Sequence, residues 1–291
     1  MSFSSDIKKE LNKNNSLSNK ELVKNELMGY LISGNISIID EKIIRFSTES
    51  DYNINRFSKL LSNLDIIHDI DISGKTFFIT IKKNNINLIE IKNNQIFLKE
   101  ETNDNEENKR AFIKGIFMGG GSINNPENNY HLEMIVTNHK ALLKTIEILK
   151  SVKINVKTLE NKNKHSIYIK DGEEISKFLA YIGANKAIMD FEEIRIQKEM
   201  RGKINRLVNC ETANLNKTIN ASVEQISAIK KLQEKNKFSK LDDNLKEIAI
   251  LRLENPDMSL VELGKLLKEP IGKSGVNYRL KKIIEIAGDI K

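Results

Sequence analysis

Cysteine is almost absent from this chain of 291 residues, and the single Cys210 excludes an intramolecular disulfide or a zinc site built from cysteines. Histidine is nearly as rare. His68, His131, His139 and His165 are scattered, with no spacing that gathers ligands on one helix face, so each reads as a surface or packing residue. Nothing here asks for a metal ion, a cofactor or a small-molecule substrate. No stretch approaches the roughly eighteen apolar residues that cross a bilayer, and residues 1–7 lack the apolar core of a leader peptide. A cytoplasmic location with no membrane partner is the expectation.

The chain is rich in charge instead. A formal net charge of +7 and a pI near 9.1 give a moderate bias toward polyanions. Hydrophobic residues make up 39% and recur with regular periods, which argues for a folded chain with room for two or three domains.

Two stretches echo each other. Residues 26–38 read ELMGYLISGNISI and residues 112–124 read FIKGIFMGGGSIN, so Gly29 falls on Gly115 and Gly34 on Gly120. An apolar helix ending in small residues and feeding a strand is the local structure that each implies. Residues 4–13 read as a helix starting at Ser5 or Asp6. In the first copy, 19–33 is a helix, 36–46 and 75–81 alternate as strands, and Asn53–Leu64 has helical spacing. The acidic stretch 100–108 reads as a solvated connection. In the second copy, 109–118 is a helix and Tyr130–Val136 a strand. Lys140–Ser151 is a helix, Lys153–Leu159 and Ser166–Lys170 a strand pair, and Asp171–Tyr181 a helix. The repeated order predicts an α+β pseudo-twofold domain over 1–200, in halves of about 1–99 and 109–200, with antiparallel sheets.

Beyond it, 184–236 is strongly helical but interrupted near Arg201-Gly202 and at Asn214–Asn220, which makes 201–221 a basic junction. Arg195, Lys198, Arg201, Lys203, Arg206 and Lys217 face only Glu199 and Glu211 there. Arg195, Lys198 and Arg201 recur every three residues, so they share a helix side suited to phosphates. Ser222–Glu234 restarts a helix with Val223, Ile226 and Ile229 inward.

Residues 222–291 read as an all-helical module. A helix over 241–254 stops at Asn255-Pro256-Asp257, and Ser259 to Glu262 is a capping box opening a second helix through Leu267. Gly264 is the small residue that lets two helices cross, and Lys268–Gly272 is the turn. A last helix from Lys273 to Ala287 buries Val276, Leu280, Ile283, Ile284 and Ala287. It leaves Ser274, Asn277, Tyr278 and Lys281 outside, flanked by Lys273, Arg279 and Lys282. Between 265 and 282 stand six bases and one acid. Polar side chains for base edges and basic ones for phosphates are what a helix-turn-helix recognition helix needs, so double-stranded DNA is the expected partner.

The repeat resembles the LAGLIDADG motif of homing endonucleases, with residues 27–35 and 113–121 taking its nine places. In that family two such helices pack through small residues, and acids at their ends hold a divalent metal. Here those acidic places hold Ile32 and Gly34, then Met118 and Gly120. None offers a carboxylate, so metal-assisted cleavage is excluded at the seam and no catalytic residue is assigned. Together with residues 206–217 (RLVNCETANLNK) and 273–280 (KSGVNYRL), the chain resembles the WhiA family over nearly its whole length. That resemblance implies a non-catalytic, nucleoid-associated bacterial DNA-binding protein concerned with sporulation gene control, cell division and chromosome segregation. It also implies a C-terminal module similar to the promoter-reading domain of sigma factors. Two alternatives remain open. Residues 1–200 could bind a protein partner, since Asp65, Asp69 and Asp71 lie near Lys75 in a mixed surface. An active nuclease would have to draw on Asp40, Glu41 or Glu127 beyond the turns.

Overall fold

The computed structural model describes all residues except 1, 14–16, 41, 100–104, 162–163 and 290–291. The chain divides into two compact units, Met1–Glu199 and Met200–Lys291.

In the first unit, α1 (Phe3–Lys13) buries Ile7 and Leu11. The Ser2 hydroxyl accepts from the Ser5 amide, so the start falls ahead of the expected Ser5 or Asp6. The two motif helices are α2 (Lys20–Leu31) and α4 (Glu106–Gly120), each opened by an asparagine side chain, Asn19 and Asn105. Most of the acidic stretch, 100–104, lies outside the described residues. Its end is helix rather than loop, with Glu106 and Glu107 in the first turn of α4, where the helix dipole favours negative charge.

After α2 come β1 (Ile36–Asp40), β2 (Ile43–Thr48), α3 (Asp51–Asn63), β3 (Asp69–Ser73) and β4 (Thr76–Lys82). After α4 come β7 (Gly121–Ile123), β8 (Leu132–Val136), α5 (His139–Ser151), β9 (Lys157–Asn161) and β10 (Lys164–Ile169). A hairpin of β5 (Ile89–Lys92) and β6 (Gln95–Leu98) separates the two series. The sheets run β1-β2-β4-β3 and β7-β8-β10-β9, both antiparallel, so one topology is used twice. One apolar core runs through both copies, from Leu27, Phe46 and Phe57 to Phe112, Met134 and Phe178. Helix α6 (Gly172–Ile182) follows, capped by the Asp171 carboxylate. Strand β7 is too short to show an alternation, whereas the β5–β6 hairpin is an addition to the expected order although Ile89-Glu90-Ile91-Lys92 alternates and Asn93-Asn94 makes the turn.

Helix α7 runs without a break over Asn185–Glu234. The expected interruptions at Arg201-Gly202 and Asn214–Asn220 are absent. No proline stands in this stretch, and one glycine costs a helix only about 1 kcal/mol. The second unit packs the end of α7 with α8 (Asp243–Glu254), α9 (Leu260–Leu266) and α10 (Lys273–Gly288). From α7, Ala228, Ile229 and Leu232 enter that core, whereas Val223, expected inward, is exposed. Among the described residues, no helix is long and apolar enough to cross a membrane.

Candidate functional site: a closed helix seam and a basic helix

Helices α2 and α4 meet backbone to backbone, and glycine makes this possible. A Cβ on Gly29 would lie 2.2 Å from the Phe112 carbonyl oxygen, and one on Gly115 would lie 2.0 Å from that of Glu26. Any side chain there forces the helices apart.

At the end of the seam the expected acid positions are occupied by structure. The Gly34 amide donates to Ile135 O at 2.8 Å and the Thr137 amide to Ile32 O at 2.9 Å, so the end of α2 pairs with β8. A Cβ on Gly120 would stand 2.7 Å from the Gly34 nitrogen, and one on Gly34 2.6 Å from an Ile135 methyl. Ile32 and Met118 are buried in the core. The Met118 carbonyl accepts from Asn53 Nδ2 at 2.8 Å, while Asn53 Oδ1 takes the Tyr30 hydroxyl at 2.6 Å. At this end, where Ile32, Gly34, Met118 and Gly120 stand, the seam therefore has neither carboxylates nor space for them. Of the nuclease alternatives, Asp40 accepts the Lys42 amide in the β1–β2 turn and Glu127 lies in an exposed turn. Glu41 lies outside the described residues.

A buried ion cluster joins three helices at the same seam, and sequence reading missed it. Glu26 of α2 receives Arg56 of α3 through Nε at 2.8 Å and Nη2 at 2.6 Å, and Lys114 of α4 at 3.3 Å. Burial pushes the Lys114 ammonium below its ordinary pKa, with Glu26 opposing the shift. The signal available was a charge inside each apolar motif run, which is unusual unless paired.

The outward faces of the two sheets hold little net charge. Alternation places Arg45, Lys82, Asp69 and Asp71 on the first, opposite the buried Ile44, Phe46, Ile79 and Ile81. It places Lys157 and Glu133 on the second, opposite Leu132, Met134, Ile167 and Ile169. Asp40, opposite Ile43, adds another acid to the first, so among the described residues three bases meet four acids there.

In the second unit, Ser259 Oγ accepts from the Glu262 amide while Glu262 Oε2 accepts from the Ser259 amide, so the capping box forms. The Ser259 hydroxyl and amide hold the Glu262 carboxyl below its ordinary range. Gly264 is needed both by the turn and by the approach of α10. A Cβ there would lie 2.2 Å from Ile271 O in the turn, and the Val276 side chain of α10 lies just beyond. Arg252 is fully buried and clamps the preceding turn, with Nη1 near the carbonyls of Asn255, Pro256 and Met258.

Helix α10 divides cleanly. Val276, Leu280, Ile283 and Ala287 are buried, Ile284 is half-buried, and Lys273, Ser274, Tyr278, Lys281 and Lys282 are exposed. Asn277 and Arg279 are half-buried on its flanks. The structure does not gather the other basic element as the spacing suggested. Arg195 is ion-paired to Glu192 at 2.7 Å, and Lys198 donates to the carbonyls of Pro126, Glu127 and Asn128 while lying over the Tyr130 ring. Both serve the fold. Arg201, Arg206 and Lys217 are exposed on α7.

Two family models match the chain. The WhiA LAGLIDADG-like domain covers residues 109–201, the second copy alone, and the WhiA C-terminal HTH domain covers 204–287. A relative from Clostridium novyi (strain NT), named a probable cell division protein WhiA, is 40% identical across 100% of this chain and 99% of its own. The chain belongs to the WhiA family. The crystal structure of full-length DUF199/WhiA from Thermotoga maritima superimposes with a TM-score of 0.63 at 30% identity, covering 99% of this chain and 98% of that one. The N-terminal LAGLIDADG domain of DUF199/WhiA gives a TM-score of 0.53 at 26% identity, over 62% of this chain and 90% of that one. The WhiA architecture is thus an α+β LAGLIDADG-like domain followed by a helical helix-turn-helix domain.

Proposed function

We propose that this protein is a non-catalytic, cytoplasmic DNA-binding regulator, acting in the nucleoid on sporulation and cell-division transcription and on chromosome segregation. The outward face of α10 carries the reading. Ser274, Asn277 and Tyr278 would meet base edges in a major groove, and Lys273, Arg279, Lys281 and Lys282 would meet phosphates on either side. Arg201, Arg206 and Lys217 would add backbone contacts, whereas Arg195 and Lys198 act by holding the fold around them.

The test is a Lys273→Ala, Asn277→Ala, Lys281→Ala variant on fragments recovered by chromatin immunoprecipitation. Specific binding is expected to vanish with the helical circular dichroism unchanged. The wild-type affinity should fall steeply with salt, and the two lost lysines should flatten that slope by about two counterions. Undiminished binding by the folded variant would refute the assignment.

The repeat domain has a second reading, docking of a protein partner through residues 1–200. Its balanced sheet faces favour this over a DNA saddle, which calls for positive potential along the phosphates. Exposed Leu159 on the outward face of the second sheet supplies apolar contact, as do Ile39 of β1 and, on the other face of the edge strand β3, Ile70 and Ile72.

A further inference from the structure

Two of the four histidines meet. His139 is the first residue of α5, just after the N-cap Asn138, and His165 lies in β10. Glu160 of β9 stands directly opposite His165 in the antiparallel ladder. His139 Nδ1 is 2.8 Å and His165 Nδ1 3.3 Å from the same carboxylate oxygen, Glu160 Oε2. The ligand atoms of all three lie within 4.8 Å of one another.

We propose that His139, Glu160 and His165 form a binding site for one late first-row transition metal ion of the Zn²⁺ class, with water in the fourth position. A tetrahedral ion with bonds of about 2.0–2.2 Å separates its ligand atoms by roughly 3.4 Å, which the present spacing brackets. Two imidazoles and one carboxylate match Zn²⁺, Co²⁺ or Ni²⁺, whereas Mg²⁺ and Ca²⁺ favour oxygen. His165 is the fixed ligand, its side chain only 16% exposed, while His139 at 59% and Glu160 at 39% can turn to complete the shell. The bound ion would tie the β9–β10 hairpin to the start of α5. This site is separate from the α2–α4 seam and rests on nothing assumed about DNA.

The test uses the full chain, freed of any polyhistidine tag and stripped with chelator, titrated with Zn²⁺ alone and with Co²⁺ as a spectroscopic probe. One equivalent is expected to bind, raising the melting temperature and giving the visible absorption of four-coordinate Co²⁺. His139→Gln and Glu160→Gln, both on the surface, should each weaken binding by about tenfold or more, and His68→Gln should leave it unchanged. Absence of stoichiometric binding, or binding that both surface variants leave intact, overturns the proposal.

Discussion

Gly115 shows how much one hydrogen atom can decide. Its missing Cβ is the reason α4 can rest against the Glu26 carbonyl of α2. Gly115→Ala should cost about 3 kcal/mol through forced separation of the helices, and an unchanged melting temperature would contradict the close approach. Lys8 gives the opposite case, a charge the fold would be steadier without. It lies over the Phe117 ring, and burial lowers its ammonium pKa from 10.5 to about 8. Between those values the unfolded chain holds a proton that the folded chain has shed, so stability rises as pH climbs through that window. Below about 8 the desolvation cost is fully present. Lys8→Met should therefore raise stability near neutral pH by roughly 1–3 kcal/mol and abolish the rise between pH 8 and 10.5. Denaturant melts of both proteins across that range check the sign.

The Glu26 cluster matters at the level of whole elements because it links α2, α3 and α4 at once. Glu26→Ala leaves the Arg56 guanidinium and the Lys114 ammonium buried without their shared partner. A loss of about 3–5 kcal/mol is expected, readable as a fall in the urea midpoint, and a shift below 1 kcal/mol would show the cluster to be solvated. The long α7 carries a related lesson. Arg195, Lys198 and Arg201 recur as a helical side, yet the first two turn to Glu192 and to the 126–128 carbonyls. Spacing reports which residues share a side. The neighbouring elements decide whether that side faces water.

Over the whole molecule, the repeated sheet order preserves a pseudo-twofold scaffold, while its helix ends are closed by backbone pairing. Restoring acids should not restore cutting. A Gly34→Asp, Gly120→Asp variant is expected to melt lower than wild type, because each Cβ would stand closer than 3 Å to a neighbouring atom. Neither protein should nick plasmid DNA with Mg²⁺ or Mn²⁺. Metal-dependent nicking that follows the wild-type protein through purification would overturn the non-catalytic reading.

The repeat, the empty acid places, the capping box and the amphipathic α10 were legible in the sequence alone, since each depends on residue type at short spacing and on hydrogen bonds made within one element. Tertiary structure alone decided the rest. The three-residue β7 takes its hydrogen bonds from β8. Glu26 is buried because Arg56 and Lys114 reach it from two other helices. His139 and His165 meet at Glu160 because a strand register and a helix start place them there. Local periodicity can name the face of an element, but what covers that face comes from residues far along the chain, and only the folded molecule brings them within reach.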